Sequence, residues 1–263
     1  MGQWKGIILA AGKGSRMRSD LPKVLHEING KPMVLYSIDV LRGLGVDDII
    51  LVIGYKHELI EERLKGVPNV RFALQAEQKG TGHAVMQAVP LLQGYNGEVF
   101  VIYGDMPLLK PETLRQLPER LAAEQAAAVL LTLTMDNPPE FGRIVRDAQR
   151  GVQRIVEVRD ASPEIFAINE VNVGVYLFRA PLLVQALSLI TDSNAQREYY
   201  LTDVVEVLAR QGQRVVTVPV EELDEVMGVN AQYQREYAER LDDIRHAESM
   251  YQLIDAVARM RRR

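Results

Sequence analysis

A glycine-rich turn next to basic residues is the segment of this chain best suited to binding phosphate. Gly12, Lys13 and Gly14 directly follow an apolar run, and Arg16 and Lys23 come soon after them. Successive backbone N–H groups in such a turn form a concave nest for phosphate oxygens, and the cationic side chains add positive charge. The segment fits neither the dinucleotide fingerprint G-x-G-x-x-G nor the Walker A pattern. We therefore expect a polyphosphate site of another kind, with an ordinary strand-ending turn as the alternative.

A carboxylate and a glutamine follow two later apolar strands. Asp105 lies in the sequence YGDMP, where it could bind Mg²⁺, a hard cation that prefers oxygen ligands and is usually shared with substrate phosphates. The alternative is that Asp105 caps the next turn. Gln75 begins the segment QAEQKGTGH, in which its amide could recognise a nucleobase edge while Gly80 and Thr81 allow a ligand to approach closely. A helix cap at Thr81 is the alternative there.

The composition excludes several kinds of chemistry and of partner. The chain of 263 residues contains no cysteine, which excludes disulfides, Cys-ligated zinc, iron–sulfur clusters and thiol nucleophiles. Its four histidines are scattered without metal-ligand spacing, and we interpret them as polar or packing residues. A net charge of −4 argues against broad binding to nucleic acid, and no apolar stretch is long enough to span a membrane. We expect a cytoplasmic protein without nucleic-acid or membrane partners.

Apolar runs and helical patterns alternate along most of the chain, which is typical of βαβ units and a mostly parallel sheet. Strands are predicted at 6–11, 48–53, 70–75, 98–103, 128–135, 143–145, 152–158, 171–178 and 214–220. Helices are predicted at 32–44, 58–64, 81–92, 111–124, 182–190 and 202–210. The three strands between 143 and 178 have little helix between them and suggest a small inserted β subregion.

The predicted fold class is therefore α/β, with a doubly wound, mostly parallel sheet. Ligands of such sheets bind beyond the carboxyl ends of the strands, so we expect the chemically active segments to meet there. The last predicted element is a long C-terminal helix, since residues 231–260 contain no Gly or Pro and place apolar residues near helical spacing. We divide the chain into a domain at 1–230 and a helical extension at 231–263, which we expect to be a strut or a homo-oligomer contact.

The order of the motifs resembles that of a known family. The segment LAAGKGSRMRSDLPKVLHEINGKPM resembles the signature of the sugar-1-phosphate nucleotidylyltransferases, and LQAEQKGTGHA, YGDMP, GRIV, VEVRDAS, NVG, EYYLTD and GVN follow in matching order. Over residues 6–230 the chain is most similar to the uridylyltransferase domains of bacterial N-acetylglucosamine-1-phosphate uridylyltransferases. The resemblance implies a Rossmann-like nucleotide-diphospho-sugar transferase fold and the transfer of a nucleotidyl group.

The resemblance also implies roles for the matching residues. Arg16 and Lys23 match the catalytic, phosphate-binding positions, and Asp105 and Asn230 match the Mg²⁺ ligands. The implied nucleotide-binding residues are Leu9, Ala10, Ala11, Gly12, Gly14, Gln75, Gly80 and Thr81. The implied sugar-binding residues are Tyr103, Gly104, Gly142, Glu157, Asn172 and Thr202.

The implied reaction is Mg²⁺-dependent transfer of UMP from UTP to a sugar 1-phosphate, with N-acetylglucosamine 1-phosphate as the expected acceptor. Val173 stands where that family commonly has Thr, and Arg159 stands where Lys is usual. Uridylyl or thymidylyl transfer to glucose 1-phosphate is therefore an alternative, as are cytidylyl transfer and a catalytically silent nucleotide-binding regulatory module. The bifunctional relatives continue into an acetyltransferase β-helix, which nothing after Asn230 resembles, so we expect no acetyltransferase activity.

Overall fold

The computed structural model describes residues 4–17, 19–229, 234–236, 238–243 and 245–246. Within these residues, a nine-stranded sheet is covered by helices on both faces, which confirms the predicted fold class. A separate two-stranded hairpin lies after the first loop. None of the helices in this described part of the chain is both long and apolar enough to cross a membrane.

Each predicted strand and helix up to residue 220 has a counterpart in the structure. The strands are β1 (Trp4–Ala10), β2 (Glu27–Ile28), β3 (Lys31–Pro32), β4 (Asp48–Ile53), β5 (Val70–Leu74), β6 (Glu98–Tyr103), β7 (Ala128–Thr134), β8 (Arg143–Arg146), β9 (Val152–Val156), β10 (Glu170–Arg179) and β11 (Val215–Pro219). The helices are α1 (Met33–Arg42), α2 (His57–Arg63), α3 (Thr81–Ala88), α4 (Pro111–Ala123), α5 (Pro163–Phe166), α6 (Ala180–Leu187), α7 (Asp203–Arg210) and α8 (Leu223–Val226).

The differences from the sequence prediction have local causes. Helix α3 ends at Ala88 and continues as a 3-10 turn over Val89–Leu92, because Pro90 has no N–H to extend an α-helix. The hairpin of β2 and β3 and the short helices α5 and α8 were not predicted. Elements of two to four residues are too short to show a hydrophobic period.

The strand order of the main sheet is β11-β7-β10-β6-β1-β4-β5. Strands β6, β1, β4 and β5 are parallel neighbours, so their carboxyl ends lie at one edge. Strand β10 runs antiparallel between β6 and β7, and the hairpin of β8 and β9 attaches to it. The strand predicted at 171–178 therefore belongs to the main sheet, where the sequence had suggested a separate small subregion.

Two apolar cores lie on opposite faces of this sheet. Ile8 and Ala10 point toward helices α1, α2 and α4, whereas Ile7 and Leu9 point toward α3, α6 and α7. Successive side chains of a strand face opposite sides of the sheet, so a strand covered on both faces is apolar at every position. This accounts for the continuous apolar run in the sequence of β1.

The predicted C-terminal helix lies largely outside the described residues, and its full length stays a prediction. Within it, residues 234–236, 238–243 and 245–246 are helical. Ala238 is fully buried in a small apolar cluster with Ile28 and Met33. The Tyr36 hydroxyl donates to Asp242 Oδ2 at 3.2 Å, so this part of the chain packs on the β2–β3 hairpin and α1.

Candidate active site

The loops after three parallel strands enclose a cavity of about 380 Å³ at the carboxyl edge of the sheet. We call this the nucleotide-side cavity. The sequence-predicted residues that line it are Leu9, Ala10, Ala11, Gly12, Lys23, Gln75, Gly80, Thr81, Tyr103 and Asp105. Parallel strands present their carboxyl ends at the same edge, which brings together segments that are far apart in sequence.

The glycine-rich turn after β1 lies directly against Lys23. Gly14 has a φ of +66°, and a Cβ there would be 2.5 Å from the Lys23 Cβ. Only glycine suits this position, since other residues are strained at positive φ and would collide with the lysine. Gly12, which comes soon after β1, lines the cavity. Gly14 and Arg16 do not line it, and Arg16 is exposed.

Lys23 and Asp105 form an ion pair although 82 positions separate them in sequence. Their side chains are only 13% and 17% exposed. Asp105 comes just after β6, and Lys23 lies in a 3-10 turn after the glycine-rich loop. The pair therefore places one cation and one carboxylate at the floor of the cavity, where they can bind phosphate and a metal ion.

The residues present fit a magnesium ion in the manner usual for phosphate-transferring sites. Mg²⁺ is typically bound by one or two carboxylates together with substrate phosphates, and Asp105 supplies one such carboxylate. Asn230, the second ligand expected from the resemblance, lies outside the described residues. Among the described residues no group of three or more His, Cys, Asp or Glu side chains could hold a metal by itself.

The end of the cavity beyond β5 is formed by Gln75 and the loop that follows it. Gln75 is 3% exposed, and its Nε2 donates to the Gly80 carbonyl at 3.0 Å. Gly80 has a φ of +103°, and a Cβ there would meet the Tyr199 carbonyl at 2.5 Å. Thr81 Oγ1 accepts from the backbone N–H of Leu201 at 3.0 Å, and Gly80 occupies the N-cap of α3. Thr81 is thus not the helix cap that the sequence offered as an alternative.

A second cavity, of about 210 Å³, shares Tyr103 and Asp105 with the first. We call it the sugar-side cavity. Gly142, Glu157 and Asn172 line it, as the resemblance implies. Two further residues of the predicted sugar set do not line either cavity: Gly104 donates its N–H to the Leu9 carbonyl at 3.0 Å, and Thr202 is buried behind Glu157.

Burial controls the ionisation of the groups around the sugar-side cavity. It raises the pKa of the Glu157 carboxyl, while a hydrogen bond of 3.0 Å from Thr202 Oγ1 lowers that pKa. Burial also raises the pKa of the Tyr103 phenol, which is therefore neutral at physiological pH. Thr202 is thus hydrogen-bonded to the Glu157 carboxylate and does not itself line the sugar-side cavity.

Asn172 is held by its own strand. Its Nδ2 donates to the Tyr176 hydroxyl at 2.7 Å, and its Oδ1 accepts from the Gly174 N–H at 3.2 Å. The register of β10 shifts between Asn172 and Tyr176, where Gly174 adopts a φ of +83° against the Tyr103 ring. This irregularity turns the Asn172 side chain into the cavity wall.

Several lining residues were not singled out from the sequence. In the nucleotide-side cavity these are Val24, Gln78, Ala84 and Glu198. In the sugar-side cavity they are Met106, Glu140, Phe141, Gly174, Val226 and Gly228. Several lie inside the motif blocks that carry the resemblance, for example Gln78 in LQAEQKGTGHA and Glu198 in EYYLTD, so the blocks were the available signal.

Two adjoining cavities lie at the carboxyl edge of a doubly wound sheet, with Asp105 shared by both and paired to Lys23. Residues 6–173 match the MobA-like NTP transferase domain, and the chain belongs to this family. The match covers the glycine-rich turn, the segment after β5, the YGDMP segment and the start of β10 as far as Val173.

Curated relatives extend the similarity to nearly the whole chain. The bifunctional protein GlmU of Pelobacter propionicus is 44% identical over 235 residues, which are 89% of this chain and 51% of that protein. GlmU of Caldicellulosiruptor saccharolyticus is 45% identical over 254 residues, which are 95% of this chain and 55% of that protein. The chain thus spans about half the length of the curated relatives it matches.

Solved structures show the same fold at low sequence identity. A UDP-glucose pyrophosphorylase complexed with UDP-glucose superposes with a TM-score of 0.73 at 19% sequence identity. The superposition covers 92% of this chain and 98% of the pyrophosphorylase chain. The apo form of a UDP-glucose pyrophosphorylase gives a TM-score of 0.72. At this level of identity the likeness is one of fold.

Proposed function

We propose that this chain transfers UMP from UTP to N-acetylglucosamine 1-phosphate, releasing pyrophosphate and giving UDP-N-acetylglucosamine. The observation that carries the proposal is the meeting of two cavities at Tyr103 and Asp105, with Lys23 paired to that carboxylate. One cavity suits the nucleotide and the other suits the acceptor. The α-phosphate then lies beside the charged pair. The GlmU relatives, at about 45% identity over most of the chain, support this choice of subfamily.

The proposed step needs alignment and charge neutralisation and no proton acceptor. A phosphate oxygen of the sugar 1-phosphate attacks the α-phosphorus of UTP, forming a new P–O bond as the bond to the β-phosphate bridging oxygen breaks. The electron pair of that bond leaves with pyrophosphate. Because the nucleophile is already an anion, the step requires no general base or nucleophilic side chain.

The residues of the charged pair and those around it have different roles in the proposed reaction. Lys23 binds phosphate oxygens and stabilises the charge that develops on the leaving pyrophosphate. Asp105 would hold Mg²⁺, which would supply positive charge that stabilises the phosphates. The glycine-rich turn at 12–14 surrounds the triphosphate with backbone N–H groups. Glu157 and Asn172 bind hydroxyl and amide groups of the sugar.

The experiment is pyrophosphate release with Mg²⁺, in which UTP, dTTP, CTP, ATP and GTP are each paired with N-acetylglucosamine 1-phosphate and with glucose 1-phosphate. We expect the largest kcat/KM for UTP with the N-acetyl sugar. A larger kcat/KM with glucose 1-phosphate would overturn the choice of sugar. Glucose 1-phosphate is included because Val173 lines the sugar-side cavity. Tight UTP binding without turnover in any pair would instead favour a regulatory module or a different sugar phosphate as acceptor.

A further inference from the structure

The carboxamide of Gln75 has only one orientation in this structure. Its nitrogen lies 3.0 Å from the Gly80 carbonyl oxygen, which can accept hydrogen bonds but cannot donate them. The same carbonyl also accepts the Ala84 N–H at 3.1 Å. The group that faces Gly80 must therefore be the NH₂ end of the amide.

That orientation fixes the tautomer of His83. Gln75 Nε2 lies 3.1 Å from His83 Nδ1, and an NH₂ group can bond to Nδ1 only if that nitrogen carries no proton. His83 must then be neutral with its proton on Nε2. Burial lowers the pKa of His83, with a smaller contribution from Lys79, and so favours the neutral ring. Gln87 Nε2 lies 3.2 Å from His83 Nε2 and donates to the His83 carbonyl oxygen at 3.0 Å. A proton on His83 Nε2 therefore requires a half-turn of the Gln87 amide, which exchanges the bond to that carbonyl for one from the Nε2–H to the amide oxygen.

Both hydrogens of Gln75 Nε2 are therefore used within the protein, and Oε1 is the side-chain polar atom that remains for a ligand. Among the described residues no hydrogen bond to Oε1 is present. Gln75 lines the nucleotide-side cavity, so this atom can only accept a hydrogen bond from the base. Uracil and thymine carry an N–H at ring position 3, whereas cytosine has an unprotonated nitrogen there.

We infer that His83 is a positioning residue for base selection, which acts by holding the Gln75 amide with its oxygen toward the base. The inference rests on the proposed function and adds to it a residue that selects the nucleotide without touching it. While His83 carries its proton on Nε2, reversing the Gln75 amide would place Oε1 against both the Gly80 carbonyl and the unprotonated Nδ1, and would present NH₂ to the base. With His83 removed, only Gly80 opposes that reversal.

The test compares the dissociation constants of UTP and CTP by calorimetry, with kcat/KM for each nucleotide as a second readout. His83→Leu retains volume but has no acceptor, whereas the Oδ1 of His83→Asn can replace Nδ1. We expect His83→Leu to reduce the preference for UTP over CTP by between about three- and tenfold, the range that one neutral hydrogen bond supplies. His83→Asn should restore most of the preference, and the KM for the sugar phosphate should stay unchanged in both.

Gln87→Ala is the matched control, because it lies on the same helix and touches the opposite nitrogen of the ring. Its preference for UTP should equal that of the wild type. If the wild type binds UTP and CTP equally well, the proposed function fails in its choice of nucleotide and the inference fails with it. If the wild type prefers UTP and His83→Leu keeps the full preference, the inference alone is overturned.

A measurement on the unaltered chain makes the test independent of how the variants fold. The ¹⁵N chemical shifts of the His83 ring distinguish the two neutral tautomers and the protonated form. We expect a protonated Nε2 and an unprotonated Nδ1 at neutral pH. A proton on Nδ1 would overturn the inference, since Gln75 could then not donate to that nitrogen.

Discussion

Lys23 and Asp105 form the charged pair at the point where the nucleotide-side and sugar-side cavities join. Both cavities include Asp105, so any group that reacts between two substrates must pass close to its carboxylate. Gly14 packs against the aliphatic part of the Lys23 side chain, where a larger residue would collide with it. Gly14 thus determines how closely the glycine-rich turn approaches Lys23.

The first prediction concerns Asp105 itself. We expect Asp105→Ala to lower turnover by at least about 10²-fold, the scale of a lost electrostatic stabiliser. The exposed Asp136 provides a control, and Asp136→Ala should leave turnover unchanged. The measurement is pyrophosphate release under saturating substrates, with circular dichroism to verify folding. Activity of the Asp105 variant within threefold of the wild type would exclude this role.

At the scale of elements, helix α7 begins among four carboxylates. Asp203 and Glu206 lie in its first turn. Together with Glu157 and Asp160 they line a third cavity, of about 380 Å³, beside the start of this helix. Burial raises the pKa of Asp203 to about 6, with further contributions from the neighbouring carboxylates. The helix N-terminus favours negative charge, but burial and mutual repulsion outweigh it at this position.

This raised pKa predicts a pH-dependent effect on stability. The folded state holds the Asp203 proton more tightly than the unfolded chain, for which the ordinary value is 3.8. Its contribution to stability is therefore present at low pH and is lost as the pH rises through about 6. We expect Asp203→Asn to raise the melting temperature relative to wild type at pH 8 and to have little effect at pH 4.5.

The control for that measurement is Asp47→Asn, since Asp47 is exposed and lies far along the chain from these carboxylates. Its melting temperature should follow that of the wild type at both pH values. An Asp203→Asn variant that is less stable than wild type at the higher pH would show that the ionised carboxylate stabilises the helix, and the prediction would be wrong.

At the scale of the whole molecule, the two cavities belong to different parts of the sheet. The nucleotide-side cavity is formed mainly by loops after the parallel strands β1, β5 and β6. The sugar-side cavity adds the antiparallel β10 and the segments that flank β8 and β9. A change confined to the second part should therefore alter binding of the sugar phosphate more than binding of the nucleotide.

Arg143 offers such a change. It is 1% exposed, and its guanidinium donates to the carbonyls of Pro139 at 3.0 Å and Phe166 at 3.2 Å, and also to that of Phe141. It thereby fixes the loop that brings Phe141 and Gly142 to the sugar-side cavity. Lysine retains the charge but lacks the planar fork that reaches several carbonyls at once.

We expect Arg143→Lys to raise the KM for the sugar phosphate about tenfold, since at least one hydrogen bond to a buried carbonyl is lost. The KM for the nucleotide should change less than twofold. Arg146→Lys, on the same strand but paired with Glu170 at 2.6 Å, should leave both values near wild type. Equal increases in both KM values would show that Arg143 supports the fold as a whole.

The sequence by itself determined the local structure and most of the residues that line the site. Apolar runs predict buried strands because every side chain of such a strand faces a covered side of the sheet. Glycine-rich turns follow those runs, as in the segment 12–14, because the chain must leave the sheet tightly there. Since ligands bind at the carboxyl ends of parallel strands, the glycine-rich turn, Gln75 and Asp105 could be named from their places after apolar runs. Gly142, Glu157 and Asn172 were named through the resemblance of the motif blocks to the nucleotidylyltransferase family.

Only the tertiary structure decided how those residues act on one another. The pairing of Lys23 with Asp105, the antiparallel place of β10 between β6 and β7, and the contact of Gln75 with His83 do not follow from any period in the sequence. The buried role of Arg143 likewise depends on carbonyls that its strand meets only after folding. Strand order and side-chain hydrogen bonds arise from packing between segments that are distant in sequence. Hydrophobic periodicity does not predict them, because it indicates only which face of each segment is buried.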